Sequence, residues 1–516
     1  MPEAAGRPRS RCRQVSVAII GAGFGGLAAA VKLKQRTSAD FTIFEQSASV
    51  GGTWWDNRYP GCEVDIHSHA YSFSFCKYNW SRTHARQPEL LAYANKVADD
   101  FGLRSHLRLN TRIAEICWID AESRYRVVTE SGQEYFFDVV ITAVGLLSVP
   151  RYPDWPGLDE FGGIKFHTAR WEAEHDLSDK VVAVVGTGST AVQVVPALAE
   201  TVRHLYVYQR EPGWIEPKLE RPFRPWERWL FAHVPGLQLA SRARIFYSSM
   251  RRFRGYDVNS KRQRAMCAMC ERFIRTAIAD SRIRDAVTPR YPWGCKRPVV
   301  ASTFYPSLNR PNVDLVPHPV VRATPEGLVD SSGDTRRIDV LVMATGFQPT
   351  RFLEGLAITG RDGRKLHDVW NPRPTAFLGI TVPGFSNFFI LYGPNTNGGL
   401  SIIAQLERQA EVAASAVARL QRLPAGVVDT DAGVARRYTA WIDRQIAKHA
   451  SAMDSGCSNY YHSADGSNVT QWPGAHLKYL ICTKLLWRVG LRTRASCPAL
   501  GAVGPGKRPG ADHAIR

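Results

Sequence analysis

The sequence predicts an α/β protein with two doubly wound parallel sheets, on three observations. A strand, a glycine turn and a helix follow one another twice, at residues 14–36 and 180–200. A further strand comes after each, DFTIFEQ in the first copy and RHLYVYQR in the second. Two apolar strands ending in a glycine turn, DVVITAVGLLSVP from Asp138 to Pro150 and DVLVMATGF from Asp339 to Phe347, follow the first and second copies in turn and read as crossing points between domains. Strands alternating with helices in this way belong to parallel sheets covered by helices.

In the first copy, Gln14 to Ile20 reads as a strand, Gly21 to Gly26 as the turn GAGFGG, and LAAAVKLKQR as the helix. Glycines Gly21, Gly23 and Gly26 let backbone N–H groups and the helix N-terminus face a pyrophosphate. Glu45 stands 24 residues after Gly21, at the end of the next strand, where a carboxylate accepts hydrogen bonds from ribose hydroxyls. In the second copy, Lys180 to Val185 is the strand, Gly186 to Ala191 the turn GTGSTA with Gly188, Ser189 and Thr190, and AVQVVPALAE the helix carrying Gln193. Arg210 again stands 24 residues after the first glycine. A guanidinium there welcomes a ribose 2′-phosphate that a carboxylate would oppose, so the first site suits FAD or NAD and the second NADP. Two such sites in series allow a nicotinamide to pass hydride to a flavin in the cleft between domains.

Bulk composition sets limits on the rest. The chain has 516 residues, 44% hydrophobic and 22% charged, enough for two or three domains with substantial cores. No apolar run approaches the ~20 residues that span a bilayer. The first, VSVAII, runs straight into a glycine turn and reads as a buried strand, not a signal-peptide core. Ten scattered cysteines argue against a disulfide framework, and a soluble cytoplasmic protein is expected. The pair Cys267 and Cys270 lies in a helical stretch without a second ligand pair, and His67 with His69 is an isolated HxH, so no metal site is expected.

Of the net charge of +19, +9 falls between Lys218 and Arg264, where twelve Lys/Arg face only Glu220, Glu227 and Asp257. With Trp226, Trp229, Phe246 and Phe253 interleaved, this segment fits a helical insertion with a solvated basic face, in preference to a nucleic-acid or peripheral membrane contact.

Three motifs make the likeness specific. FGGIKFHTARW holds Phe161, Gly163, His167 and Trp171 in the spacing FxGxxxHxxxW, ahead of the second glycine turn. GGTWWDNRYPGCEVD runs from Gly51 to Asp65, and WGCKRPVV contains Lys296, Arg297 and Pro298. From about Val15 to about Trp487 the chain resembles the type I Baeyer–Villiger monooxygenases, flavoproteins that use FAD and NADPH. Glu172 replaces the usual Pro or Asp after the fingerprint Trp, and Ala143–Gly145 reads AVG in place of ATG. Related flavin monooxygenases that oxidise nitrogen or sulfur are the alternative, but their fingerprint ends in Tyr or Phe, and Trp171 favours the Baeyer–Villiger branch.

The resemblance implies that O2 and a small ketone or aldehyde are converted to an ester or lactone through a C4a-peroxyflavin. A fixed cation near that anion would stabilise it and the tetrahedral adduct that follows. By motif position the cation is Arg297, held by Asp65, with Lys296 beside Arg210 near the NADP phosphate. FAD would meet Gly21, Gly23, Gly26, Glu45, Thr53, Trp54, Asp56, Asp65, Tyr71 and Ile113. NADP would meet Gly186, Gly188, Ser189, Thr190, Gln193, Arg210, Lys296 and Arg297. In the fingerprint, Gly163 would let the chain turn while His167 and Trp171 change partners as the NADP domain moves.

GPNTNGG, Gly393 to Gly399, would bring a helix N-terminus toward the flavin, and SNVTQWPG, Ser467 to Gly474, would join the substrate pocket. The expected architecture is two Rossmann-like dinucleotide-binding domains. The FAD domain takes 14–150 and 381–487, and the NADP domain, 151–211 and 293–380, is inserted in it. A helical insertion takes 212–292, and basic tails at 1–13 and 488–516 are expected to be disordered.

Overall fold

The computed structural model describes residues 13–398, 401–423, 426–452 and 459–494. Two five-stranded parallel sheets organise them. The first runs Phe388–Ile390, Val139–Thr142, Ser16–Ile20, Asp40–Phe44 and Leu107–Arg108. The second runs Ile164–His167, Val340–Met343, Val181–Val185, His204–Tyr208 and Val313–Val316. In this order the two sheets match strand for strand, each with its glycine-turn strand at the centre. VVAVV and SVAII are β-branched runs buried on both faces, as strands between two helical layers must be.

The edge strands differ in origin. The first sheet takes its edge from Phe388–Ile390, far along the chain, whereas the second takes Ile164–His167 from just before its own central strand. The fingerprint segment is therefore part of the second sheet. Gly163 has no positive φ, so it does not serve a turn; a Cβ there would lie 2.4 Å from the Asp339 carbonyl and 2.5 Å from the Phe161 ring. It is glycine because the strand edge and a buried ring leave no room for a side chain.

Helices cover the first sheet. Phe24–Arg36 buries Leu27 to Val31 and packs on Ile402–Leu420, a close approach that the run of alanines permits. Lys32 and Glu407 form an ion pair of 3.1 Å across that contact, and Glu407 also accepts from the Ser74 N–H at 2.9 Å. An antiparallel layer of Ile113–Ile119, Arg124–Thr129 and Glu134–Phe137 completes this half. The three-stranded layer Val320–Thr324, Gly327–Asp330 and Thr335–Arg337 lies beside the second sheet, sharing its apolar cluster.

Several placements depart from the sequence expectation. The expected boundaries put 293–380 in the second half, yet Ala357–Thr359 pairs in parallel with Glu115–Cys117 of the first. Three residues are too short a strand to show any period. Within 212–292 the helices Pro225–His233, Leu237–Phe253, Lys261–Ala277 and Ser281–Val287 form, but Ile215–Glu216 is a strand paired with Val299–Val300.

The expected tail from 488 is ordered through Arg494: the helix His476–Gly490 leads into Leu491–Arg494, which pairs antiparallel with Val427–Thr430. Its strand partner is distant in sequence, so its basic composition was misleading. Arg13 is likewise placed, through an ion pair with Asp138 at 2.5 Å. The remainder of both expected tails, 1–12 and 495–516, and Gly399 of the GPNTNGG stretch lie outside the described residues. Cys267 and Cys270 sit on one helix as free thiols, whereas Cys295 is disulfide-bonded.

Under the first half, the buried Tyr93 hydroxyl accepts from the Phe73 N–H at 2.8 Å and donates to the Cys76 carbonyl at 3.0 Å. Tyr93→Phe leaves both partners unpaired, at a cost of about 1–3 kcal/mol. The expected outcome is a melting temperature lowered by a few degrees in far-UV circular dichroism. An unchanged melting temperature would show that the hydroxyl does not tie this segment.

Candidate active site

The two glycine turns are built alike. Gly21 has φ +103° and a Cβ there would meet the Ala143 carbonyl at 2.7 Å; Gly186 has φ +120° and would meet the Ala344 carbonyl at 2.5 Å. Each turn is thus backed by the end of the neighbouring strand, Val139–Thr142 or Val340–Met343. The AVG and ATG stretches are there for this close approach. Gly26 is tighter still, its Cβ position being 1.8 Å from the Gly21 carbonyl. Glu45 is buried, and its carboxylate accepts from the Ala22 N–H at 2.7 Å and the Ser47 N–H at 2.8 Å.

Both turns open onto one cavity of about 830 Å³. From the first half it is lined by Gly21, Gly23, Glu45, Thr53, Trp54, Asp56, Asp65, Tyr71 and Ile113, and from the second by Gly188, Ser189, Thr190, Gln193 and Arg210. The Trp54 indole N–H donates to the Tyr71 hydroxyl at 3.2 Å. Burial holds the Tyr71 phenol well above its ordinary range. Burial also raises the Asp56 carboxyl, against the nearby charge of Arg170.

Arg297 enters the cavity from the segment after the insertion. Its Nη2 donates to Asp65 Oδ2 at 2.5 Å, and side-chain exposures of 34% for Arg297 and 20% for Asp65 show that the pair still opens to the cavity. Asp65 drives the guanidinium well above its ordinary value, outweighing the effect of burial. Burial pushes the Asp65 carboxyl up, but the charge of Arg297 brings it below the usual value. The pair is therefore ionised at neutral pH. Tyr392, Tyr460 and Tyr461 stand near enough for their electrostatics to couple to Arg297. No spacing in the sequence marks these three.

The segment bearing Asp65 is clasped to the second half. Gln193 accepts from the Tyr59 hydroxyl at 3.0 Å and the Glu63 N–H at 3.3 Å, and donates to the Glu63 carbonyl at 3.0 Å. Gly61, at φ +79°, lies so close that a Cβ would be 2.4 Å from the Gln193 carbonyl. Lys218, from the insertion, pairs with Glu63 at 2.6 Å and Glu220 at 3.4 Å. The YPGCEVD run held this information, since its glycine and both acids face another part of the chain.

Two expected residues stand differently. Arg210 is exposed just beyond its strand and lines the cavity, but Lys296 is bound by Glu211 and does not. The fingerprint residues are also set back from the cavity lining. Phe161 is buried, and Trp171 packs edge-on to Phe166 at 4.8 Å. His167 ends the edge strand; its Nδ1 accepts from the Ala169 N–H at 3.1 Å, which leaves Nε2 to donate to the Gly346 carbonyl at 3.1 Å. It thereby anchors the turn that follows Val340–Met343.

Two nucleotide turns meeting at one cavity define a pyridine-nucleotide oxidoreductase, and the profile of the pyridine nucleotide-disulphide oxidoreductase family matches residues 18–234. Whole-chain relatives are more specific. A Baeyer–Villiger monooxygenase of Pseudomonas aeruginosa is 36% identical over 475 residues, covering 92% of this chain and 90% of its own. An FAD-binding monooxygenase of Aspergillus niger is 34% identical over 90% of this chain and 79% of its own. Cyclohexanone monooxygenase from Rhodococcus sp. Phi1, solved bound to NADP+, superposes with a TM-score of 0.84 at 29% identity, covering 94% of this chain and 100% of its own. The chain belongs to the Baeyer–Villiger monooxygenase family.

Burial lowers the His167 pKa from 6.5 to about 4. An unfolded chain protonates this ring near 6.5, so between about 6.5 and 4 the unfolded state holds more protons. The contribution of His167 to stability is complete above that window and is lost as pH falls through it. His167→Gln is expected to flatten the fall in melting temperature between pH 6.5 and pH 4 relative to the parent. Parallel curves over that range would show that the ring does not titrate as its burial requires.

Proposed function

We propose that Arg297, fixed by Asp65, is the cation that stabilises developing negative charge in an FAD- and NADPH-dependent Baeyer–Villiger monooxygenase. The overall reaction is ketone or aldehyde + O2 + NADPH + H+ giving ester or lactone + NADP+ + H2O. The carrying observation is a permanently ionised guanidinium open to a cavity onto which both nucleotide turns face.

The residues fit the two cofactors. Gly21 and Gly23 leave a cradle without side chains that suits the FAD pyrophosphate, Gly26 lets the helix close against the Gly21 carbonyl behind it, and Glu45 orders the turn through Ala22 while facing the cavity. Thr53, Trp54, Asp56, Tyr71 and Ile113 are assigned to the remaining FAD surface. Gly186, Gly188, Ser189, Thr190 and Gln193 are assigned to NADP, with Arg210 on its 2′-phosphate. Lys296, neutralised by Glu211, is assigned to holding Arg210's loop rather than to the phosphate itself. Bound, the cofactors supply the hydride and the activated oxygen. Arg297 supplies charge stabilisation on the carbonyl side, Asp65 holds its orientation, and the clasp at Gln193 ties the segment bearing Asp65 to the second half. The fingerprint residues Phe161, Gly163, His167 and Trp171 are assigned to positioning the second sheet, since they stand behind the cavity and touch no space within it.

Nitrogen or sulfur oxygenation is disfavoured because the whole-chain relatives carry the Baeyer–Villiger name. A panel of carbonyl compounds, read by NADPH consumption and product mass, tests the reading: insertion of oxygen between carbonyl and α-carbon is expected. Products oxidised only at a heteroatom would overturn it.

Two variants separate the roles. Arg297→Ala is expected to keep FAD and its reduction by NADPH but to lose ketone oxygenation by at least roughly a hundredfold, the scale of losing one preorganised stabilising group. Retained oxygenation would remove Arg297 from the chemistry. Arg210→Ala is expected to raise KM for NADPH about tenfold or more while leaving KM for NADH nearly unchanged. Equal changes for both would show that Arg210 does not meet the 2′-phosphate.

A further inference from the structure

We propose that the helices Pro225–His233, Leu237–Phe253 and His476–Gly490 form a docking face for an anionic phospholipid surface. The first two helices lie over residues 67–80, with inward contacts made by Phe231 to His69 and by Gln238 to the Tyr78 carbonyl. Their other sides are left to solvent. Trp226 and Trp229 are 57% and 58% exposed on one side of the first helix, and Leu239 and Tyr247 are 61% and 63% exposed on one side of the second.

The third helix adjoins them, since the Phe246 and His476 rings lie 4.8 Å apart. It exposes Leu477, Ile481, Leu485 and Val489, an i, i+4 stripe that nothing described covers. Isolated exposed apolar residues are ordinary, but adjoining helices that each turn such a stripe outward mark an interaction surface.

Charge decides the partner. The three helices carry a single carboxylate, Glu227, and Arg221 binds it. Arg228, Arg244, Arg251, Lys484 and Arg488 are exposed, and no carboxylate among the described residues pairs with any of them. Trp and Tyr at headgroup depth, aliphatic residues beside them and unpaired guanidinium groups around them suit lipid headgroups. A protein partner would have to bring all the acidic complement to a face this basic. No described helix is long and apolar enough to cross a membrane, so the contact lies on the surface of a bilayer.

The test is flotation of the full-length, flavin-loaded protein with vesicles of phosphatidylcholine alone or with added phosphatidylglycerol. Binding is expected to the mixed vesicles, weakly or not at all to phosphatidylcholine, and to weaken as salt rises. Trp226→Ala with Trp229→Ala, and separately Ile481→Ser with Leu485→Ser, should each lower the partition constant about tenfold. Arg244→Gln with Arg251→Gln should do the same at low salt only. All six positions are outside the cavity, so turnover of a water-soluble ketone should stay at the parental rate in each variant. Absence of flotation with either vesicle, or flotation insensitive to all three variants, would overturn the proposal. So would a concentration-dependent dimer of the parent that these variants convert to monomer, because the face would then be a contact between copies.

Discussion

Asp65 and Arg297 come from distant parts of the chain, and their ion pair forms only where the glycine-turn halves and the insertion meet. A half-buried guanidinium without a partner would be costly, and so would the carboxylate alone. Paired, each keeps the other charged. The arrangement around them serves this encounter: Gln193 grips the backbone of Glu63, Gly61 lets the helix carrying Gln193 come into contact, and Lys218 balances Glu63 from the insertion. A cation held in this way keeps its orientation before any ligand arrives, and so needs little reorganisation when negative charge develops beside it.

Much of the fold was legible because glycine is read from steric need. Gly21 and Gly186 occupy backbone conformations that other residues rarely adopt, and each is pressed against a carbonyl of the adjoining strand. The same rule misled at Gly163, where the missing side chain makes room for a neighbour and no turn occurs. Composition misled at 488–494, because a short strand paired with a remote partner carries no local signature. The early return of Ala357–Thr359 to the first half failed to show for the same reason. Pairing partners are a property of the folded chain, and one strand alone does not reveal them.

The ion pair of the site and two of its aromatics, Trp54 and Tyr71, were legible, whereas three further tyrosines were not. Arg297 and Asp65 stand in motifs with fixed spacing, so a resemblance carries them. Tyr392, Tyr460 and Tyr461 reach Arg297 from the far end of the chain, with no spacing to connect them. Lys296 shows a partner that the motif alone did not reveal. Its motif position places it near the NADP phosphate, and in the fold it pairs with Glu211, one residue past Arg210.

The grip of Gln193 on both backbone groups of Glu63 has a mechanical result. Residues 59–65 belong by connectivity to the first sheet, yet their polar backbone is fastened to a helix of the second. Rocking of one sheet against the other would therefore carry this short strap along with the helix, like a passenger, and bend the chain at its ends. The carboxylate would travel with its guanidinium, and the pair would shift position without either group losing its charge.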